Sequence, residues 1–195
     1  MTPVLSLILA IGANDTLSRR CVNALAAQTF ADAGLVVADC SFLGYAEALR
    51  RKLPKEEGSI AVKFIAGAPQ TPRWEQLRSA VAEASGTYVI FADPGQWLEP
   101  DAAARLVECM QRTGADLAEM RSVGRFKGTP VKNGNSVPDE IDSDALIDGG
   151  RLRKYACFIG DGSLITSSLN DKIYRREVLA EALSVDYPGD ASAAE

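Results

Sequence analysis

The 195-residue sequence contains no histidine. This absence excludes Ser-His-Asp and Cys-His catalysis and any metal site built on imidazole, so acid–base chemistry falls to Asp, Glu, Lys, Tyr or Cys. Cysteine is also scarce, and none of the four cysteines forms a Cys-x-x-Cys pair, so a zinc site is not expected. We predict that the cysteines are reduced and act as small apolar residues.

Two further deficits limit the partners and the location of the protein. Basic residues are fewer than acidic ones, 21 against 26, and this balance argues against a nucleic-acid partner because phosphate binding favours a basic face. No apolar stretch is long enough to span a bilayer, and the apolar start lacks the pattern of a signal peptide. We expect a cytoplasmic protein with no transmembrane segment, and we leave open a peripheral association with the inner membrane face.

The sequence does contain an alternation of short apolar runs with amphipathic segments. Apolar runs bounded by turn signals begin at Val4, Leu35, Ile60 and Tyr88, and each of them predicts a strand. Segments with apolar residues every three or four positions lie between these runs and predict helices. Because strands that alternate with helices favour a parallel sheet, we predict a three-layer α/β/α sandwich with a mostly parallel central sheet.

The alternation decays after residue 123. Residues 124–150 are rich in Gly, Asn, Ser, Pro and Asp, which predicts a long loop or an edge hairpin. An extended segment at 172–174 and a helix over 176–183 are expected after it. We divide the chain into an α/β half, 1–123, and a shorter region, 124–195, and predict that both belong to one domain.

The strand predicted at Tyr88–Ala92 ends in Asp93-Pro94-Gly95. A charged residue at the carboxyl end of a buried strand lies where ligands bind in open α/β sheets, so Asp93 is a candidate binding residue. The same three residues also fit a plain type II turn, with Pro second and Gly third. Asp39 ends the second predicted strand, and it is either a second binding residue or a local cap.

Five segments of the chain, in order, resemble the family 2 glycosyltransferases of the GT-A fold. The matching segments are SLILAIGAND, LSRRCVNALAAQTF, LVVADCS, ASGTYVIFADPGQWLEPDAAARLV and NDKIYRREVL. The second includes Leu25, Gln28 and Thr29, the third stands where the family has Val-Val-Asp-Asp-Gly-Ser, and the fourth carries the place of the family's Asp-x-Asp motif. The resemblance implies a Rossmann-like GT-A domain in which 1–123 binds a nucleotide-sugar and 124–195 lies on the acceptor side.

The resemblance also implies a reaction and a role for particular residues. A sugar would pass by in-line displacement from a nucleotide-diphosphate donor to a hydroxyl of a glycan, lipid or protein acceptor. Asp39 would contact the nucleoside, and Asp93 would hold a divalent cation, Mn²⁺ or Mg²⁺, against the donor diphosphate. An inverting enzyme also needs a carboxylate base late in the chain. Asp190 is the candidate base, and the alternative, which the residues alone favour, is that Asp186 and Asp190 are solvated tail residues.

The sequence departs from the family pattern at the implied donor site. Ala38 stands where the family has the first acid of its Asp-Asp pair, and Gly95 replaces the second acid of Asp-x-Asp. The loss weakens cation binding because hard cations need several oxygen ligands. Two hypotheses follow: a glycosyltransferase with a degenerate Asp-x-Asp motif, or a catalytically inactive GT-A-like module that binds a glycan or a protein. The enzyme hypothesis expects Asp39 and Asp93 to share an open cleft.

Overall fold

The computed structural model of the protein describes residues 3–12, 15–41, 45–52, 60–66, 71–96, 98–119, 124–126, 129–131 and 169–184. The helices and strands in these ranges follow one another along the chain in the order β1 (Leu5–Ile11), α1 (Asp15–Ala26), β2 (Ala33–Asp39), α2 (Tyr45–Lys52), β3 (Ala61–Ile65), α3 (Arg73–Glu83), β4 (Tyr88–Ala92), α4 (Ala102–Thr113), β5 (Leu117–Glu119), β6 (Gly124–Phe126), β7 (Thr129–Val131), β8 (Lys172–Arg175) and α5 (Arg176–Ser184). Within these ranges, no helix combines the length and the apolar character needed to cross a bilayer.

The central sheet has six strands in the order β3-β2-β1-β4-β8-β5, and β6 pairs with β7 separately. Strands β1 to β4 run parallel, while β8 runs antiparallel to both of its neighbours. The prediction of a mostly parallel sheet is therefore confirmed. Strand β8 comes from the region after residue 123, so that region completes the same sheet as the first half of the chain.

Helices cover both faces of the sheet, which confirms the three-layer prediction. Alternate residues of β1 point to opposite faces, as the pleat of a strand requires. Leu7 and Leu9 lie in one core cluster, which is closed by apolar residues of α1, α4 and α2. Ile8 lies in the second cluster, which is closed by residues of α3 and α5. Because β1 is buried on both faces, its sequence is an almost unbroken apolar run.

The one polar residue of β1, Ser6, joins the amino ends of β1 and β4. Its Oγ accepts a hydrogen bond from the backbone N–H of Gly86 at 2.9 Å, in the buried interior. A Cβ on Gly86 would lie 2.6 Å from the backbone nitrogen of Ser6 and 2.7 Å from the carbonyl carbon of Leu5. Gly86 lies beyond α3, which ends at Glu83. Glycine is needed at position 86 because its backbone lies too close to the backbone of Leu5 and Ser6 to leave room for a side chain.

Three strands have bounds or places that are set by their neighbours. Strand β2 begins at Ala33 because Ala33 pairs with Leu5 of β1. Strand β3 lies at the edge of the sheet, and its Val62 is 38% exposed. Strand β5 is described at Leu117–Glu119, and 120–123 lie outside the described residues.

Cysteine chemistry matches the expectation in the described part of the chain. Cys21, Cys40 and Cys109 are free thiols, and Cys21 is buried while the other two are half-buried. Cys157 lies outside the described residues. The free thiols agree with the prediction of reduced, mostly apolar cysteines.

Candidate functional site

The carboxyl ends of β1, β2 and β4 form the candidate site. The strand order reverses at β1, with β2 and β3 on one side of it and β4 on the other. In open α/β sheets ligands bind at this kind of reversal, outside the carboxyl ends of the strands. Asp39 ends β2 and Asp93 follows β4, so the two acids lie on either side of the end of β1. Their strands are not adjacent.

Residues 93–96 form the type II turn that the sequence allowed. The backbone N–H of Gln96 donates to the carbonyl of Asp93 at 3.0 Å, and Gly95 has a φ of 94°. The Gln96 side chain closes the turn further, because its Oε1 accepts from the N–H of Asp93 at 3.1 Å. A residue with a side chain is strained at this φ. The turn and a second carboxylate at position 95 are therefore hard to combine.

Asp93 takes part in this turn only through its backbone, and the two oxygens of its carboxylate accept hydrogen bonds from other parts of the chain. Oδ1 accepts a hydrogen bond from Arg73 Nη2, within an ion pair, and Oδ2 accepts from Asn170 Nδ2 at 2.5 Å. Arg73 is the first residue of α3, and Asn170 lies just before β8. The Asp93 side chain is 28% exposed. One carboxylate thus links three parts of the fold at the edge of the candidate site.

These contacts bear on the predicted divalent cation. Both carboxylate oxygens of Asp93 already accept hydrogen bonds from nitrogen donors. Among the residues that the structure describes, no group of three or more His, Cys, Asp or Glu side chains is arranged to hold a metal ion. Mg²⁺ and Mn²⁺ require several oxygen ligands. In this conformation a divalent cation at Asp93 would therefore compete with Arg73 and Asn170 for the carboxylate.

Asp39 has a different environment. It is 1% exposed, and its Oδ1 accepts hydrogen bonds from the N–H of Ser41, at 2.8 Å, and from the Ser41 hydroxyl. The Ser41 Oγ in turn accepts from the N–H of Tyr45, the first residue of α2, at 3.2 Å. The cap that the sequence left open as an alternative is therefore present. Binding of a nucleoside by Asp39 stays a prediction.

The expected open cleft shared by both carboxylates is wrong for this conformation. Asp93 is turned towards Arg73 of α3, which covers one face of the sheet. Asp39 is turned towards the start of α2, whose Tyr45 packs on the other face. Burial of Asp39 removes its carboxylate from solvent. Of the three charged residues Asp39, Asp93 and Arg73, the last two present charge to solvent at this edge.

Two thiols lie close to these charges and stay protonated. Burial raises the pKa of the Cys21 thiol to about 12, and the charge of Asp93 adds to the effect. The Cys21 Sγ also donates a hydrogen bond to the carbonyl of Asp93 at 3.5 Å. Burial likewise raises the pKa of Cys40, against the opposing charge of Arg73. Both thiols are therefore poor nucleophiles at neutral pH.

A groove of about 300 Å³ borders the turn on the α1 side. Its lining comes from α1 and from the turn, namely Leu17, Arg20, Cys21, Ala24, Gly95 and Gln96. Most of this lining is apolar, and Arg20 brings a positive charge to it. The groove therefore offers an amphipathic surface directly beside the Asp93 turn.

Sequence analysis did not single out Arg73 or Asn170. A signal for Arg73 was available, because a helix that follows a parallel strand begins at the carboxyl edge of the sheet. Arg73 opens α3 after β3 and therefore had to lie at the same edge as Asp93. For Asn170, 77 positions from Asp93, no local pattern indicates the contact.

The pair Arg175 and Arg176 does not join the site, because it lies at the opposite end of the sheet. Arg175 donates to Asp116 at 2.8 Å and to the carbonyl of Gly114 at 3.0 Å, while Arg176 donates to the carbonyl of Gly86 at 2.8 Å. These bonds give the pair a structural role. Asp186, Asp190 and Trp97 lie outside the described residues.

Comparison with known proteins places the fold. No protein-family model matches the sequence, and no curated protein matches it. S. aureus TarS in complex with UDP is similar in structure, with a TM-score of 0.58 and 19% identity over 91% of this chain and 48% of that chain. The TarS complex with UDP-GlcNAc has a TM-score of 0.58 and 18% identity, over 91% of this chain and 47% of that chain.

A third solved structure is more similar in shape although lower in identity. The mannosyltransferase PcManGT from Pyrobaculum calidifontis, in complex with GDP-Man and Mn²⁺, has a TM-score of 0.63 and 14% identity over 93% of this chain and 47% of that chain. This chain therefore has the GT-A fold of these proteins, as the sequence predicted. It spans about half the length of each of them.

Proposed function

We propose that this chain is a glycosyltransferase domain that binds a nucleotide-diphosphate sugar at the carboxyl ends of β1 and β4 and transfers the sugar to an acceptor hydroxyl. The observation that carries the proposal is the ion pair of Asp93 and Arg73, which presents charge at the reversal of the strand order. The solved structures of the same fold with UDP, UDP-GlcNAc and GDP-Man support it.

The finer assignments follow from the resemblance in sequence. We propose an inverting transfer of the family 2 type, with the donor site in 1–123 and the acceptor side in 124–195. Asp93 would lie at the diphosphate and Asp190 would serve as the base. Asp39 would contact the nucleoside only after its carboxylate exchanges the Ser41 hydrogen bonds for ligand ones. The acceptor would be a glycan, a lipid or a protein.

A second candidate function is a catalytically inactive GT-A-like module that binds a glycan or a protein. Two observations favour it: the Asp39 carboxylate is buried in a local cap, and Gly95 occupies a turn that disfavours a second acid. Turnover separates the two candidates. Release of UDP from UDP-GlcNAc, or of GDP from GDP-Man, by the purified protein would exclude the inactive module.

Nucleotide binding tests the first candidate directly. We expect UDP or GDP to raise the melting temperature, because a ligand at about ten times its Kd stabilises the folded state by roughly 1.4 kcal/mol. For a chain of this size, that corresponds to about 3–6 °C. Uridine and guanosine at the same concentration are the matched controls, and they should give a much smaller rise because they lack the diphosphate. If neither diphosphate produces a shift, the proposal fails.

A further inference from the structure

We propose that Arg73 takes the place of a divalent cation at this site and neutralises the diphosphate of the bound nucleotide, so that nucleotide binding does not depend on a metal. The inference rests on the proposed function, because it names the charge partner of the same diphosphate. It starts from a disagreement: the resemblance implies a cation at Asp93, and both carboxylate oxygens of Asp93 instead accept hydrogen bonds from nitrogen donors, one of them the Arg73 guanidinium.

The position of Arg73 suits an anion. Its guanidinium lies beside Asp93, at the carboxyl edge of the sheet, and 54% of its side-chain surface is exposed. The bond to Asp93 is the one side-chain hydrogen bond that Arg73 makes to the described part of the chain. A guanidinium has five N–H donors in a planar fork, which matches the oxygens of a phosphate group. Donors therefore remain for a ligand.

The helix behind Arg73 strengthens the same preference. Arg73 is the first residue of α3, and Pro72 before it provides no side-chain cap for the helix. The N-terminal end of a helix carries a partial positive charge that favours anions. Glu75 lies in the first turn and opposes this effect. For a ligand beside Asp93, however, Arg73 is nearer than Glu75, and its full positive charge is larger than the partial charge of the helix end.

The local charge balance explains why Arg73 and Gly95 occur together. Two carboxylates and one divalent cation have no net charge, and one carboxylate and one guanidinium also have none. With Gly95 in place of an acid, Asp93 alone supplies the negative charge, and Arg73 alone is enough to balance it. A divalent cation added to this pair would lie against the guanidinium and be repelled by it.

Asn170 fixes the arrangement. The Nδ2 of Asn170 donates to Asp93 Oδ2, and Arg73 donates to Asp93 Oδ1, so the carboxylate is held from both sides. Asp93 thereby becomes a positioning residue that orients Arg73. A metal ion would compete with these two nitrogen donors for the carboxylate.

Calorimetric titration with UDP and with GDP, in EDTA and in Mn²⁺, tests the inference. For the wild-type chain we expect Kd values that agree within about twofold between the two buffers, because no bound cation contributes. Arg73→Gln should weaken binding by about tenfold or more, since it removes a charge-assisted hydrogen bond. Arg73→Lys keeps the charge without the fork and should be intermediate. Arg51→Gln, which removes a more exposed arginine from a surface pair on α2, should leave Kd unchanged.

Asp93→Asn separates the two explanations by whether its effect depends on the metal. If Arg73 neutralises the diphosphate, the substitution changes Kd by the same factor in EDTA and in Mn²⁺, because it acts only through Arg73. If a cation does so, the substitution removes a ligand of that cation and weakens binding in Mn²⁺ alone. Melting curves of the unliganded variants check that each one is folded.

The outcomes that overturn the inference differ from those that overturn the proposed function. Binding that needs Mn²⁺, an Arg73→Gln variant with wild-type affinity, or an Asp93→Asn loss seen only in Mn²⁺ would each overturn the role of Arg73 and leave the nucleotide site standing. If neither UDP nor GDP binds in either buffer, the proposed function fails and the inference fails with it.

Discussion

The two ends of the central sheet use polar groups differently. At the amino end, most partners are backbone atoms: Ser6 Oγ accepts from the N–H of Gly86, and Arg176 donates to the Gly86 carbonyl, although Arg175 also pairs with the Asp116 side chain. At the carboxyl end, Arg73, Asp93 and Asn170 bind one another through side chains. A bond to the backbone fixes the position of a strand, whereas a half-exposed pair of side chains can exchange partners with a ligand. The comparison suggests a rigid scaffold end and an adaptable binding end.

Gly86→Ala should produce the largest effect, because it attacks the scaffold end. The new Cβ would meet the Ser6 nitrogen at 2.6 Å, and backbone atoms cannot move aside without separating β1 from β4. We expect a loss of about 3 kcal/mol in the free energy of unfolding, measured by urea denaturation. Gly12→Ala, at the carboxyl end of β1, is the matched control.

The control, Gly12→Ala, tests the carboxyl end of the sheet in the same way. A Cβ on Gly12 would meet no atom within 4 Å, so Gly12→Ala should change stability by less than about 1 kcal/mol. Equal losses for Gly12→Ala and Gly86→Ala would contradict the distinction between the two ends.

Gln28→Ala should have the second largest effect. Gln28 is 3% exposed, and its side chain donates to the carbonyls of Leu98 and Glu99 and accepts from the N–H of Ala103. It thus holds the start of α4 against the end of α1 through backbone atoms. Removing it leaves a buried donor and two carbonyls with fewer partners, so we expect a loss of about 2–3 kcal/mol on urea denaturation.

Thr29→Val is the matched control for Gln28→Ala. The Thr29 hydroxyl donates to the carbonyl of Pro100 at 3.0 Å, but this contact is exposed and water can replace it. The variant should lose less than about 1 kcal/mol. A Thr29→Val loss as large as that of Gln28→Ala would show that burial is not the cause.

The decrease of the free energy of unfolding at alkaline pH should depend on Cys21, which is buried beside the Asp93 turn at the carboxyl end of the sheet. Its pKa of about 12 in the folded protein is above its ordinary value of 9.0 because of burial. The folded state thus keeps a proton that the unfolded chain loses. The stabilisation is complete below pH 9 and is lost as the pH rises towards 12, by about 1.4 kcal/mol per pH unit.

Urea denaturation of the wild-type chain and of Cys21→Ala from pH 8 to pH 10.5 measures this difference. The variant is less stable throughout because it leaves a gap in the core, but its stability should fall less steeply above pH 9. Parallel curves for the two proteins would mean that the Cys21 thiol is accessible enough to ionise in the folded state.

The scaffold end follows from the sequence more directly than the binding end. Burial on both faces makes β1 and β4 apolar runs, so a pattern of residue types is enough to predict them. Strand β8 was predicted as extended, but its place between β4 and β5 depends on contacts far apart in the chain. Local patterns do not carry that information.

At the binding end, the sequence identified Asp93 but not its partners. Its position after a buried strand was enough to predict its place in the sheet. The contacts with Arg73 and Asn170 depend on how three parts of the chain meet, so they could not be read from spacing. The burial of Asp39 had a local signal, since a serine two positions later can donate to the carboxylate, and the resemblance alone did not reveal it.

Arg73→Gln should have the smallest effect on stability, although it is expected to have a large one on nucleotide binding. The Arg73–Asp93 pair is exposed by 54% and 28%, and partly exposed ion pairs contribute little to folding. We expect a loss of less than about 1 kcal/mol on urea denaturation. Lys63→Gln is the matched control, because Lys63 is exposed to nearly the same extent as Arg73, 55%, and pairs with Glu83 at the other end of α3.

Similar small losses for Arg73→Gln and Lys63→Gln, with nucleotide binding impaired only in Arg73→Gln, would separate binding from stability at the carboxyl end. A loss above about 2 kcal/mol for Arg73→Gln alone would give the pair a structural role like that of Ser6 and Gly86. In that case the Arg73 guanidinium would be committed to holding α3 against the Asp93 turn, and the two ends of the sheet would no longer differ in kind.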